Sequence, residues 1–247
     1  MYLQSLKITL VSFVAVAALT GCGGDSSSSS SSKAPQDTTK TVNNTLKAAF
    51  TASSLYTDLF NKLKTQTDKT GLLIDAYSIH GIRVDCGVQK VISDEDGFFT
   101  CSSTPLNFYL GNFKVGTISK VPKDKIIYTQ DILNVPRAAT THPDVTKLSM
   151  ILQSLDEDAD LSNGIELTQK SIDLLDNELA NFSSIHQLTL NDTYQIIERI
   201  IVARKANNAD IKLKKVSQKE AQINLTKALS NTPGSNIDMS TLNSIAL

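Results

Sequence analysis

An acidic stretch in the second half of the chain has the residue types and the spacing that could bind a hard cation. Asp156, Asp158 and Asp160 stand at alternate positions and are followed by Asn163-Gly164. Carboxylate oxygens at this spacing can be directed at one Ca²⁺ ion, which accepts about six to eight oxygen ligands. The pattern departs from an EF-hand loop, because Leu161 stands where that loop needs a glycine. A calcium site at the three aspartates is therefore one prediction, and a solvated helix end followed by a turn is the other.

Signatures of the common catalytic sites are absent from the sequence. The three histidines, His80, His142 and His186, are widely separated, and none has the neighbouring ligand or carboxylate that a metal site or a catalytic triad needs. The chain also contains no P-loop, no nucleophile elbow and no dinucleotide-binding fingerprint. We expect the histidines to be surface or capping residues and the protein not to be an enzyme.

A short apolar segment near the N terminus ends at Leu19-Thr20-Gly21-Cys22. It is about a dozen residues long, which is too short to span roughly 30 Å of hydrocarbon but typical of a secretory signal peptide. The four residues resemble the lipobox of bacterial lipoproteins. The resemblance implies that residues 1–21 are removed, that Cys22 receives acyl chains such as palmitate, and that Gly23 directs the protein to the outer membrane rather than the inner one. The alternative is an ordinary signal peptide with an incidental thiol at Cys22.

Composition and apolar periodicity divide the remaining chain into segments. A serine run predicts a flexible tether, apolar residues at three- and four-residue steps predict helices, and short β-branched or aromatic runs between turn residues predict strands. Two helix signals are the stripe Val145, Leu148, Ile151 and Leu152 that follows Pro143, and the capping-box sequence Ser217-Gln218-Lys219-Glu220. The predicted segments are a lipidated cysteine and tether at 22–37, an N-terminal helix at 38–70, a β domain at 71–130, a helical region at 131–234 and a tail at 235–247. The fold class that follows is α+β, with a small antiparallel β-sandwich-like domain, an N-terminal helix and a C-terminal group of short helices.

Two cysteines remain once Cys22 is assigned to lipid attachment. Cys86 and Cys101 lie fifteen residues apart in the β segment and flank a turn sequence at Asp96-Gly97. Exported chains meet an oxidising compartment, so we predict a disulfide between these two residues. A redox pair or a metal site is the alternative, although the spacing is not that of a C-x-x-C motif.

The β segment also carries a second resemblance. Cys86-Gly87, Asp94-Glu95-Asp96-Gly97-Phe98 and Phe113-Lys114-Val115-Gly116 look like parts of an Ig-like or transthyretin-like (carboxypeptidase-regulatory-like) module of bacterial surface proteins and lipoproteins. The acidic stretch resembles a segment that follows such modules, which extends the resemblance to about 71–175. It implies a β-sandwich that serves binding or spacing rather than catalysis.

Overall composition limits the choice of partners. The 247-residue chain has a formal net charge of −1, contains no tryptophan, and lacks the dense basic face that nucleic-acid binding requires. We therefore predict a membrane-anchored lipoprotein of the outer membrane that acts as a non-enzymatic binding or adhesion module at the cell envelope, with a protein partner and no nucleic acid. The alternative is a structural or accessory subunit of an envelope protein assembly.

Overall fold

The computed structural model describes residues 54–208 and 210–232, which all belong to one unit of the chain. These residues form helices and strands in an α+β arrangement, which confirms the predicted fold class. The predicted signal peptide, Cys22 with its tether, the first part of the 38–70 segment and the tail at 235–247 lie outside the described residues.

The elements follow one another with short connections. The strands are β1 (Thr70–Ile74), β2 (Ile79–His80), β3 (Arg83–Cys86), β4 (Gln89–Ile92), β5 (Phe98–Thr100), β6 (Leu106–Leu110), β7 (Phe113–Ile118), β8 (Ile126–Tyr128) and β9 (Ile165–Glu166). The helices are α1 (Ser54–Thr65), α2 (Thr129–Ile132), α3 (Pro143–Ser154), α4 (Gln169–Leu179), α5 (Leu190–Asn207) and α6 (Gln218–Asn231). Strands dominate the first half and helices the second.

The largest sheet is antiparallel and has the strand order β4-β3-β6-β7. Its inner face is apolar, because alternate residues of β3 and β6 are buried, among them Val84, Leu106 and Phe108. The residues between them are only half-buried and face the other way. This alternation follows from the two-residue period of a strand and leaves one face of the sheet polar.

A second sheet has the order β5-β1-β8 and lies deeper in the molecule. Strand β1 is buried along its whole length, which explains its continuous apolar run. It pairs antiparallel with β5 and parallel with β8. A further parallel pair joins β2 to β9, with Ile79 opposite Ile165. Neither parallel pairing was foreseen, and the pairing of β2 with β9 connects the β segment to residues far along the chain.

Helix α3 lies among the other helices and is buried on nearly every side. The predicted stripe of Val145, Leu148, Ile151 and Leu152 is buried throughout, and Pro143 occupies the first turn. The helix contacts α5 and α6. Helix α6 begins at a capping residue, Ser217, whose side-chain oxygen accepts a hydrogen bond from the backbone N–H of Glu220 at 3.2 Å.

The turn between β4 and β5 differs in detail from the hairpin indicated by Asp96-Gly97. Gly97 does adopt a positive φ of 85°, but the aspartate that caps the turn is Asp94, whose Oδ1 accepts the N–H of Phe98 at 2.8 Å. Asp96 instead forms an exposed ion pair with Lys62 at 2.6 Å. The flanking strands belong to different sheets, so the turn carries the chain from one sheet to the other.

Candidate functional site

The predicted cysteine pair lies at the junction of the two larger sheets. The sulfur atoms of Cys86 and Cys101 are at disulfide distance, and their Cα atoms are 5.9 Å apart. Cys86 ends β3 in the four-stranded sheet, and Cys101 follows β5 in the other sheet. Both side chains are buried. Cys22, the predicted lipid-attachment residue, lies outside the described residues.

The acidic stretch begins with a fully buried carboxylate. Asp156 accepts the backbone N–H of Glu166 on Oδ1 at 3.0 Å, while its Oδ2 has no hydrogen-bond partner among the described residues. Burial is the main cause that raises the pKa of Asp156 to about 7, and the neighbouring Asp158 and Asp160 raise it further. The structure therefore brings Asp156 and Asp158 together as an unequal pair, in which Asp158 raises the pKa of Asp156 while Asp156 helps to lower the pKa of Asp158.

The other two aspartates are occupied by the loop that carries them. Asp158 accepts the N–H of Asp160 at 2.9 Å and the amide of Asn163 at 2.7 Å. Asp160 accepts the N–H and the hydroxyl of Ser162 at 3.1 and 2.6 Å. Within residues 54–208 and 210–232, no group of three acidic, histidine or cysteine side chains could hold a metal ion. The calcium site remains a prediction, and the carboxylates as they stand shape a turn.

The histidines serve different local roles, and two of them, His142 and His186, contact the same residue, Asp144. His142 caps helix α3 by accepting the N–H of Asp144 on Nδ1 at 3.3 Å. His186 is exposed, with its Nδ1 3.2 Å from the carboxylate of Asp144. His80 lies in strand β2. Lys147 contacts Asp144 from another direction, at 2.7 Å.

A buried carboxylate at the end of β1 lies at the centre of a polar network. Asp75 accepts hydrogen bonds from Thr129 at 3.1 Å, Ser149 at 2.5 Å and Gln153 at 2.7 Å. Burial outweighs these donors and raises the pKa of Asp75. The residue is completely buried, so no solute can reach it, and the network holds β1, α2 and α3 together rather than doing chemistry.

The polar face of the four-stranded sheet is the best candidate for a functional surface. Its side chains form two rows across the sheet, because the register places them opposite one another. One row is Ile92, Arg83, Tyr109 and Lys114, and the other is Lys90, Asp85, Asn107 and Thr117. We call these eight residues the outer sheet face. Lys90, Ile92 and Lys114 are exposed.

The centre of the outer sheet face is held in place by contacts between its own residues. The guanidinium of Arg83 lies 4.2 Å from the centroid of the Tyr109 ring. Its Nε lies 3.2 Å from Oδ1 of Asp85. In the neighbouring row, Thr117 and Asn107 are joined by a hydrogen bond of 2.9 Å. These contacts fix the side chains before any ligand arrives, which lowers the entropy cost of binding.

The chemistry available on the outer sheet face is that of recognition. Three cationic side chains, Arg83, Lys90 and Lys114, stand against one carboxylate, Asp85. Arginine and lysine donate hydrogen bonds to carboxylates and carbonyl oxygens, and the tyrosine supplies a flat contact surface. The sequence alone did not reveal this surface, since the rows exist only once the register of four strands is known. The alternation of polar and apolar residues within each strand is the signal that could have indicated one outward face.

None of the described helices is long and apolar enough to cross a membrane. No family model, no curated protein and no solved structure matches the chain.

Proposed function

We propose that this protein is a lipid-anchored lipoprotein of the bacterial outer membrane that binds a protein partner through its outer sheet face and catalyses no reaction. The observation that carries the binding role is the stacked Arg83 and Tyr109 pair at the centre of an exposed, net cationic sheet face. The anchor is supported by the lipobox-like Leu19-Thr20-Gly21-Cys22 and the serine tether that follows it. Two or three acyl chains on Cys22 hold a protein at a bilayer durably.

The cysteine pair fits the same environment. A chain exported past the inner membrane meets oxidising conditions, and Cys86 and Cys101 already lie at disulfide distance. We propose that the exported protein carries this disulfide. Its position at the junction of the two sheets would fix the outer sheet face relative to the buried sheet behind it.

The binding role can be tested with the mature chain from residue 22, in which Cys22→Ser removes the anchor. Binding of this chain to envelope fractions from cells that lack the protein is measured for the unchanged face and for the double variant Arg83→Ala and Tyr109→Ala. We expect the double variant to bind at least about tenfold more weakly, because a central arginine and an aromatic side chain dominate the affinity of most interfaces.

A matched control separates the outer sheet face from general effects. Lys170→Ala changes an exposed cation on helix α4, away from the face, and is expected to leave binding unchanged. Circular dichroism confirms that each variant is folded. Equal binding of the double variant and the unchanged chain would reject the face as the binding surface.

A further inference from the structure

A second surface, formed mainly by residues near the C-terminal end of the described chain, differs in character from the outer sheet face. A groove of about 640 Å³ lies between helix α5 and residues 211–217, a segment outside helix and strand that we call the strap. Its apolar floor includes Ile201, Val202 and Leu213. Its rim carries four lysines, Lys205, Lys212, Lys214 and Lys215, together with Glu198.

Both walls of the groove follow from the sequence. On α5, the lining residues Glu198, Ile201, Val202 and Lys205 recur at steps of three and four residues, so they share one helix face. Val202 keeps 62% of its surface exposed, which is unusual for an aliphatic side chain in this protein. On the strap, the buried Leu213 lies between exposed lysines.

The charge of the groove is only partly balanced from within. Lys215 pairs with Glu198 at 3.0 Å, and Lys214 pairs with Glu220 at 2.7 Å. Lys205 and Lys212 form no direct ion pair with another described residue, although Lys212 is near enough to Asp158 to lower the pKa of that carboxyl. An occupant that brings carboxylates would therefore meet the ammonium group of Lys205, and that of Lys212 close to Asp158, beside an apolar floor.

The backbone of the strap distinguishes between possible occupants. The strap belongs to no sheet, and the N–H groups of residues 212–215 donate to no backbone carbonyl of a described residue. The strap is fixed at its end, where the N–H of Val216 donates to the hydroxyl of Ser154 at 2.9 Å. A segment whose backbone N–H groups are unpaired can donate them to the carbonyl groups of an extended chain that lies beside it. A lipid surface offers no such backbone to pair with.

We propose that the groove binds an extended acidic segment of a partner protein, in which carboxylate side chains alternate with apolar ones. Its backbone pairs with the strap, its carboxylates contact Lys205 and Lys212, and its apolar side chains cover Ile201 and Val202. This proposal depends neither on the lipid anchor nor on the outer sheet face. It stands on charge complementarity, the exposed apolar floor and the unpaired strap.

The experiment uses the complete mature chain with Cys22→Ser and a short fluorescent peptide of alternating glutamate and valine. Binding is followed by fluorescence polarisation, and hydrogen exchange of residues 211–217 is measured with and without the peptide. We expect saturable binding and slower exchange at 212–215, because backbone pairing protects those N–H groups. A peptide of alternating lysine and valine is expected not to bind.

Two double variants that change the net charge by the same amount test whether the peptide binds in the groove. Lys205→Glu with Lys212→Glu is expected to raise the Kd by about tenfold or more, because opposing charges across an interface become like charges. Lys69→Glu with Lys170→Glu removes the same charge from exposed positions outside the groove and is expected to change the Kd by less than about threefold. Val202→Asp is expected to weaken binding as well, since it places a carboxylate on the floor.

Three results would overturn the proposal. The first is no change of exchange in the strap when the glutamate–valine peptide is added. The second is an equal loss of affinity in both double variants, which would show general charge attraction. The third is protection of the strap by phosphatidylglycerol vesicles but not by the peptide, which would identify the groove as a membrane contact.

Discussion

Two buried polar side chains of this protein, Asp75 and Arg204, find partners that lie far away in the sequence. Asp75 takes its hydrogen bonds from Thr129, Ser149 and Gln153, and the largely buried Arg204 forms an ion pair with Glu157. Such residues carry no local pattern that identifies them. A buried acceptor with several donors is expensive to disturb, since each orphaned donor keeps its desolvation cost.

Substitution of Asp75 is therefore expected to destabilise the fold strongly. Asp75→Ala removes an acceptor from three buried side-chain donors, of which Thr129 and Gln153 keep a second acceptor among the described residues and Ser149 does not. We expect it to lower the free energy of unfolding by about 2 kcal/mol or more. Urea denaturation at neutral pH measures the effect. The exposed Asp210→Ala serves as the control, and its effect is expected to stay within about 0.5 kcal/mol. Similar losses for the two variants would contradict a special role for Asp75.

The free energy of unfolding is also expected to depend on pH through Asp75. Because burial raises the pKa of Asp75 in the folded state, the folded protein binds the proton more tightly than the unfolded chain does. Stability from this group is therefore greatest below the unfolded pKa of about 4 and falls as the pH rises through the folded value. The variant Asp75→Asn has no carboxyl group at this position and therefore lacks this pH dependence of stability. The difference in the free energy of unfolding between the unchanged protein and the variant should therefore shrink as the pH rises.

At the scale of helices, strands and loops, local signals predicted helices well and strand partners poorly. Pro143 and the capping residue Ser217 indicated the beginnings of α3 and α6, and the apolar stripe of α3 is buried as expected. The capping bonds and the helical period are local, so a sequence can reveal them. The parallel pairing of β1 with β8 joins residues about fifty positions apart, and Asp94 rather than Asp96 caps the turn. The outer sheet face could not be predicted from the sequence either, because its rows depend on the register of four strands.

The acidic loop is the element whose chemistry can be checked most directly. Because Asp158 and Asp160 accept hydrogen bonds from the loop's own donors, we expect the thermal unfolding temperature to be unaffected by EDTA or by added Ca²⁺. Asp158→Ala is the comparison, since it removes the side-chain oxygens that could bind the ion. A rise of the unfolding temperature with Ca²⁺ that Asp158→Ala abolishes would establish the calcium site instead.

For the whole molecule, the important question is where the folded part is held. The described residues belong to one unit, while the proposed anchor sequence and the proposed tether belong to the part of the chain before residue 54. Two surfaces of different character, the outer sheet face and the lysine-rimmed groove, are present on the folded part. A protein tethered by a flexible segment can present either surface to a partner without moving its anchor.

The anchor itself is tested by Cys22→Ser. We expect this variant to lose incorporation of labelled palmitate and to appear in the soluble fraction, because acyl chains supply the membrane affinity. As a control, Ser27→Cys is added to Cys22→Ser, which restores a thiol a few residues away. This double variant should also remain unlabelled, since the thiol must stand at the cleavage site. Continued labelling of either variant would rule out the lipoprotein assignment.

The short parallel pair of β2 and β9 limits how this gene could be recombined. Ile165 donates its N–H to Ser78, and Leu167 donates to His80, so the acidic loop completes the edge of the β region. Residues 71–130 transferred alone into another protein would leave these acceptors without their donors and would lack Ser149 and Gln153, two of the three side-chain donors to Asp75. A recombined or fused protein must therefore carry residues 71–167 together. The hairpin tip at Val88 is fully exposed and can accept an insertion.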